Sequence, residues 1–292
     1  SLIKMVKLFP LIFVLLWSSA FITTKPIIDY SDPFAALAFR FLFVSLGFFI
    51  FSYFTKKNIK SSKENILQSI FSGILFHGFY LGGVFYSISI GMPTGITALI
   101  VTLQPVLTNI LAGPLLKEKV NIFQWIGMIL GFTGAALVLG FDIGESLPIL
   151  GVIAAFISLF AITFSTLWQK KAANNLPLSS SNMYQAIGGF LFHLLIIILF
   201  TSPKIIFSTT FIIAMSHQIL LVSFGAFTIL MYLIKNNSAS KTVSVFFLIP
   251  PTSAIIAWIF LNEKLSSLDI AGFIIATIGV FIATRKFNEI KN

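Results

Sequence analysis

The sequence predicts an all-α integral membrane protein, with ten transmembrane helices arranged as two inverted-topology five-helix repeats around a central cavity. Three observations carry this. Of 292 residues, 57% are hydrophobic and 10% charged, with 34 phenylalanines and a mean hydropathy of +1.00. That is too little charge to cover a soluble surface, so lipid is the solvent for most of the chain. Apolar stretches of about 20 residues, enough to cross a hydrocarbon core of about 30 Å as helices, recur along the whole length. Finally, the second half repeats the first at an offset of 145 residues.

In order, the spans are expected near residues 8–30, 34–54, 66–90, 94–116, 122–140, 148–169, 182–200, 211–234, 242–261 and 268–284. No segment between them is long enough for a soluble domain. Stretches such as "AAFISLFAITF" (154–164) are continuously apolar. A membrane β-barrel alternates apolar and polar residues, so helices, which satisfy their own backbone hydrogen bonds in lipid, are the reading. The first span has Lys4 and Lys7 ahead of an apolar run, as a signal peptide has, but the run continues into another span and a retained helix is expected. The chain has no cysteine, which excludes disulfides and thiolate chemistry.

Charge sets the expected orientation. With a cytoplasmic N-terminus, the cytoplasmic side holds Lys4, Lys7, Lys56, Lys57, Lys60, Lys63, Lys117, Lys119, Lys170, Lys171, Lys235, Lys241, Arg285, Lys286 and Lys291, and the other side Lys25, Lys204 and Lys264. This positive-inside bias puts both termini in the cytoplasm. Acids lean the other way, with Asp29, Asp32, Asp142, Glu145, Glu263 and Asp269 outside. The net charge of +10 is thus a topology device, and nucleic acid is not an expected partner.

The offset lays "LKEKVNIFQWIG" (116–127) on "LNEKLSSLDIAG" (261–272), matching Glu118 with Glu263 and Gly127 with Gly272. It also carries Pro105 onto Pro250, Thr97 onto Thr242, Thr108 onto Ser253 and Lys25 onto Lys170. Two units follow, residues 1–145 and 146–292. Each holds five spans, an odd number, so the second must cross the membrane in the opposite sense, with the two halves meeting around a midplane site. The repeated phrase joins the fourth and fifth spans of each half. Asn121 or Ser266 is placed to cap the helix that follows, and Glu118 and Glu263 are expected to serve as turn and cap residues.

Polar side chains inside spans are the candidates for function. Arg40 lies about a turn into the second span, where snorkelling or helix pairing and gating or binding of an anionic group stand level. Thr97, Val101, Gln104 and Thr108 recur at helical spacing and are expected to share a cavity face, with symmetry mates Thr242, Phe246, Ile249 and Ser253. Pro105, Pro250 and Pro251 remove backbone donors inside helices and are candidate hinges, a purely structural kink being the alternative. Trp17, Tyr80, Tyr86 and Trp168 are candidate aromatic walls, with Trp168 better placed as an interfacial residue. His77, His193 and His217 sit in separate spans without metal-ligand spacing, so neither metal nor cofactor is expected. His77 with Tyr80, one turn on, is the best histidine for cavity contact. Gln185 occupies the repeat position of Arg40. Small residues in "GMILGFTG" (127–134) and at Gly272, Ala276 and Gly279 suit close helix packing, within the chain or in a homodimer.

"WSSAFITTK" (17–25), "PFAALAFRF" (33–41) and the paired proline, Glu-Lys and glycine phrases resemble the EamA family of the drug/metabolite transporter superfamily, over nearly the whole chain. One departure is Ser18, where glycine usually follows the tryptophan. The resemblance implies a helical transporter in a bacterial cytoplasmic (inner) membrane that handles amino acids or related small metabolites, often as an exporter. Membrane lipid and a small-molecule substrate are then the expected partners. The mostly uncharged cavity face favours a zwitterionic or neutral solute. Without an acid deep in any span, a facilitator or exchanger working by alternating access is expected. The nearest rival is a lipid or lipid-head-group translocator, which a lateral opening to lipid would mark. A membrane-embedded enzyme is not expected, since neither paired aspartates nor an HExxH helix is present.

Overall fold

The computed structural model describes residues 2–92, 94–140, 146–172, 175–200, 202–262 and 264–284. Ser1, Asp142, Glu145, Glu263, Arg285, Lys286 and Lys291, and the boundary expected at 145, lie outside them. Among the described residues, ten helices are long and apolar enough to cross a membrane: α1 Phe9–Tyr30, α2 Pro33–Phe54, α3 Lys63–Ser89, α4 Thr94–Leu116, α5 Ile122–Leu139, α6 Ile149–Lys171, α7 Leu178–Phe200, α8 Thr209–Asn236, α9 Ala239–Phe260 and α10 Ser267–Thr284. Among the described residues there is no strand, only an isolated antiparallel bridge between Ser31 and Ile205. Several helices begin earlier than hydropathy suggests because polar first turns are capped. Ser62, Ser208 and Ser238 accept the amides of Asn65, Phe211 and Lys241, and Asp32 does so for Ala35 ahead of Pro33.

The repeated phrase forms the same structure twice. Lys117 and Asn262 both adopt left-handed backbone, φ +56° and +55°, and end the fourth helix of each half. Asn121 then exchanges two hydrogen bonds of 2.9 Å with Gln124, and Ser266 pairs likewise with Asp269. Glu118 differs from expectation. Its carboxylate caps a distant helix, accepting the amide of Ala239 at 3.0 Å at the start of α9, because the left-handed turn at Lys117 swings the chain toward that helix.

Two pairs of corresponding helices, α2 with α7 and α5 with α10, pack antiparallel. Along α5 and α10, Gly127 meets Gly279 and Ala283, whereas Gly134 meets Gly272 and Ala276. Along α2 and α7, Ser52 bonds Ser179 while Phe41 lies against Gly189 and His193. Other contacts cross between the halves: α1 packs on α8 and α9 of the second half, and α6 packs on α3 and α4 of the first. Lys170, Glu118 and Ser180 make their bonds at one face of the bundle, which we term the lysine-rich face. At the other face, Asp32 and Tyr30 join the backbone at Lys204 and Ile206, and Ser87 reaches the carbonyl of Gly151.

Four helices depart from α geometry, at repeat-related positions. In α3, Ile74–Tyr80 is π-helical, and in α8, Gln218–Ala226. Helix α4 breaks at Thr102 and Leu103, just before Pro105. In α9, Val245–Leu248 tightens to a 3-10 turn before Pro250 and Pro251.

The small-residue faces of α5 and α10 are used against each other within the chain. A Cβ on Gly134 would stand 2.5 Å from both the Gly272 carbonyl and the Ala276 amide. That stripe is therefore closed to a second copy. Gly134→Ala is expected to lower stability by about 1–3 kcal/mol, since neither backbone can yield without moving its helix. At Gly113 the nearest obstacle is 3.8 Å away, so Gly113→Ala should be neutral or gain about 0.5 kcal/mol. Thermal unfolding midpoints in detergent distinguish the two, and equal losses would contradict this packing.

Candidate functional site

The four broken helices meet at the centre, around a chamber of two lobes that share Trp17, Phe21, Tyr80 and Val84. The first lobe lies between α1, α3, α4 and α9, where Thr97 and Val101 face Phe246 and Pro250. The second lies between α1, α2, α3 and α8 and contains Arg40, Thr24 and Gln218. Each offers only about 40 Å³, room for a water or two, so a solute enters only when the walls part.

An aromatic layer separates the chamber from the lysine-rich face. The Trp17 ring lies 5.3 Å from Phe13, 5.9 Å from Phe76 and 6.0 Å from Phe246. Trp17 is brought there by α1 docking on α9. Ser253 donates to the carbonyl of Ser18 at 3.0 Å and Ser18 donates to that of Ile249 at 3.4 Å. Ser18 thus ties α1 to α9 beside the proline break.

Arg40 is 4% exposed and lines the second lobe. Its Nε donates to Ser223 Oγ at 2.9 Å and its Nη1 to Gln218 Oε1 at 2.8 Å, both on the π-helical stretch of α8. Gln218 in turn donates through Nε2 to Thr24 Oγ1 at 3.1 Å and Thr23 Oγ1 at 3.2 Å, and Thr23 and Ser19 bond the two ring nitrogens of His217. The structure therefore builds a polar network across both halves. Gln218, Ser223 and Thr24 were not singled out in the sequence; the only signal was that each is polar inside an apolar span.

The other candidates are dispersed. Thr97 lies on the chamber wall and is bonded to Ser87 at 3.3 Å. Gln104 and Thr108 do not line the chamber with it: beyond the break at Thr102 and Leu103 the helix turns Gln104 toward α6, where its Nε2 donates to Thr166 Oγ1 at 3.1 Å. Gln104 Oε1 and Thr108 Oγ1 are buried without a partner. Thr242 bonds backward to Ser238 and Leu233 and borders a lipid-side groove. His77 is packed between Phe41 and Phe227, ring centroids 4.2 and 4.5 Å away, beneath the chamber and off its wall. Gln185 sits in a cleft near the lysine-rich face and bonds Gln169 at 2.6 Å, outside the lining of either lobe. Trp168 donates to Gln68, and Tyr86 packs on Phe34, so neither walls the chamber. Among the described residues, no three His, Asp or Glu gather to hold a metal.

The lysine-rich face is tied across helices. Lys170 Nζ, at the end of α6, donates to the carbonyls of Ile234 at 3.1 Å and Asn237 at 2.6 Å, joining α6 to the link between α8 and α9. Its repeat mate Lys25 makes no such tie and instead pairs with Asp29 one turn along α1.

Gln218→Leu removes an acceptor from buried Arg40 and should cost about 2–3 kcal/mol, whereas Ser223→Ala, which leaves that bond intact, should cost about 1 kcal/mol. Chemical denaturation in detergent measures both, and a loss-free Gln218→Leu protein would contradict the network.

The comparisons with known proteins agree with this architecture. The EamA-like transporter family matches twice, over residues 4–140 and 149–285. The chain is 26% identical over 287 residues to the uncharacterized transporter YvbV of Bacillus subtilis, covering 94% of this chain and 89% of the relative. It is 22% identical to a WAT1-related chloroplastic protein of Arabidopsis thaliana, covering 91% and 66%. A solved crystal structure superposes with a TM-score of 0.81 at 17% identity over 96% of both chains, a likeness of fold. With ten spans and a family match over nearly its whole length, the chain is a multi-pass membrane protein and belongs to the EamA-like transporter family.

Proposed function

We propose that this transporter moves small organic metabolites, of amino-acid size, across a bacterial cytoplasmic membrane by alternating access, as an exporter, facilitator or exchanger. The observation that carries the reading is unequal latching of two repeat-related faces. On the lysine-rich face, Lys170 and Glu118 hold helix ends together and the Trp17 layer seals the chamber. On the other, Lys25 is turned onto its own helix. The antiparallel packing of α2 on α7 and of α5 on α10 supports an inverted repeat, which supplies a second state by exchanging the roles of the two halves. In that state Lys25 reaches the carbonyls near Ser89 and Met92, the repeat positions of Ile234 and Asn237, while Lys170 lets go. With the lysine excess cytoplasmic, the structure corresponds to the state closed on that side.

A second reading has an observation of its own. A groove of about 740 Å³ opens toward lipid between α1, α9 and α10, lined by Leu11, Val14, Ile256 and Phe273, with Lys241 toward the lysine-rich end. It suits an acyl chain, as lipid translocation requires, but it shares no lining residue with the chamber.

Because the chain has no cysteine, Lys170→Cys with Asn237→Cys forms a clean lock. Cross-linking the pair with a reducible reagent should lower solute counterflow in proteoliposomes by at least about tenfold, and reduction should restore it, as for a gate that must open each cycle. Undiminished flux through the cross-linked protein would contradict the gate; lipid scrambling with no solute flux would favour the second reading.

A further inference from the structure

We infer that the Arg40 lobe of the chamber is a carboxylate site, and that the cargo it selects is an organic monoanion with an apolar body, in preference to a zwitterion or neutral solute. This rests on the transport reading above and narrows its substrate class.

Arg40 carries a charge into the membrane-embedded core, and among the described residues no carboxylate pairs with it: the one ion pair among them joins Lys25 and Asp29. A buried cation without a counter-charge is costly, and neutral acceptors compensate only part of that cost. Ser223 and Gln218 use one donor on Nε and one on Nη1. Among the described residues the remaining donors, both of those on Nη2 among them, have no acceptor, while the residue lines the chamber. A planar guanidinium with its outer edge free is the partner that a carboxylate binds through two parallel hydrogen bonds. Gln218 and the threonines brace the inner edge and keep the fork aimed.

The rest of the chamber defines the rest of the ligand. Around Arg40 stand Trp17, Phe21, Tyr80, Val84 and Phe85, suited to an aromatic or aliphatic body. Neither lobe contains an aspartate or glutamate. An ammonium group brought in with the carboxylate would lose its hydration with no anion to replace it. The expectation of a neutral or zwitterionic solute rests on an uncharged face of Thr97, Val101, Gln104 and Thr108 that does not include Arg40; Thr97 and Val101 line the first lobe, Gln104 and Thr108 line neither, and Arg40 lines the second.

The test is equilibrium binding of radiolabelled 3-phenylpropionate to the purified full-length protein. Phenylalanine, 3-phenylpropionamide and phenethylamine serve as size-matched competitors. The carboxylate should compete at least about tenfold better than any of the three, the scale of one charge-assisted hydrogen bond. Arg40→Gln should erase that ranking, and Arg40→Lys should keep part of it. The wild-type ranking decides the matter even if Arg40→Gln fails to fold. Equal competition by the amide or by phenylalanine overturns the carboxylate site, as does absence of binding in protein that melts cooperatively. Counterflow with the same probes separates the two levels: flux without charge preference overturns this inference and leaves the transport reading standing, whereas absence of any flux overturns both.

Discussion

In hydrocarbon, a backbone N–H or C=O without a partner has no water to turn to, so irregular backbone survives only where protein encloses it. That constraint organises the molecule. Departures from α geometry in α3, α4, α8 and α9 all lie at the centre, and all occupy repeat-related positions. The regular helices surround them. Pairs α2–α7 and α5–α10 form antiparallel struts, the latter so close that glycine is needed where the backbones touch. The struts hold the assembly, and the broken helices enclose the chamber.

Breaks at those places also make the chamber deformable. A π-helical stretch or a proline step leaves fewer intrahelical bonds to rupture when a helix bends. The chamber is too small for a metabolite as it stands, so bending is required for function. The latches at Lys170 and Glu118 engage backbone carbonyls and amides at helix ends, which lets them release without leaving an unpaired acid or base in the core. Arg40 is the exception, a permanent charge enclosed with neutral partners. Its presence beside Tyr80 and Trp17 makes the chamber more than a packing defect.

Much of this architecture is legible in the sequence. Span positions follow from hydropathy, and the offset of 145 residues foretells that Lys117 and Asn262 will end helices alike and that Asn121 and Ser266 will cap them. Proline positions point to the two broken helices. The site is less legible. Helical spacing puts Thr97 and Gln104 on one face only if the helix is continuous, and the break before Pro105 separates them. No residue type announces a π-helical stretch, so Gln218 and Ser223 are silent until α8 is seen against α2, more than half the chain away from Arg40. Glu118 looks like a local cap because its partner, the start of α9, is remote in sequence. Local geometry is written locally; contacts between the halves require the fold.

The most direct test of alternating access through the chamber is side-resolved thiol labelling. A single cysteine in place of Val84, shared by both lobes, is probed with a membrane-impermeant maleimide applied from either side of sealed vesicles. The account predicts labelling from the face opposite the lysines in the parent protein, and a shift toward labelling from the lysine-rich face when Lys170→Ala removes the latch. Equal labelling from both sides in the parent, or an unchanged pattern in the Lys170→Ala protein, would contradict it.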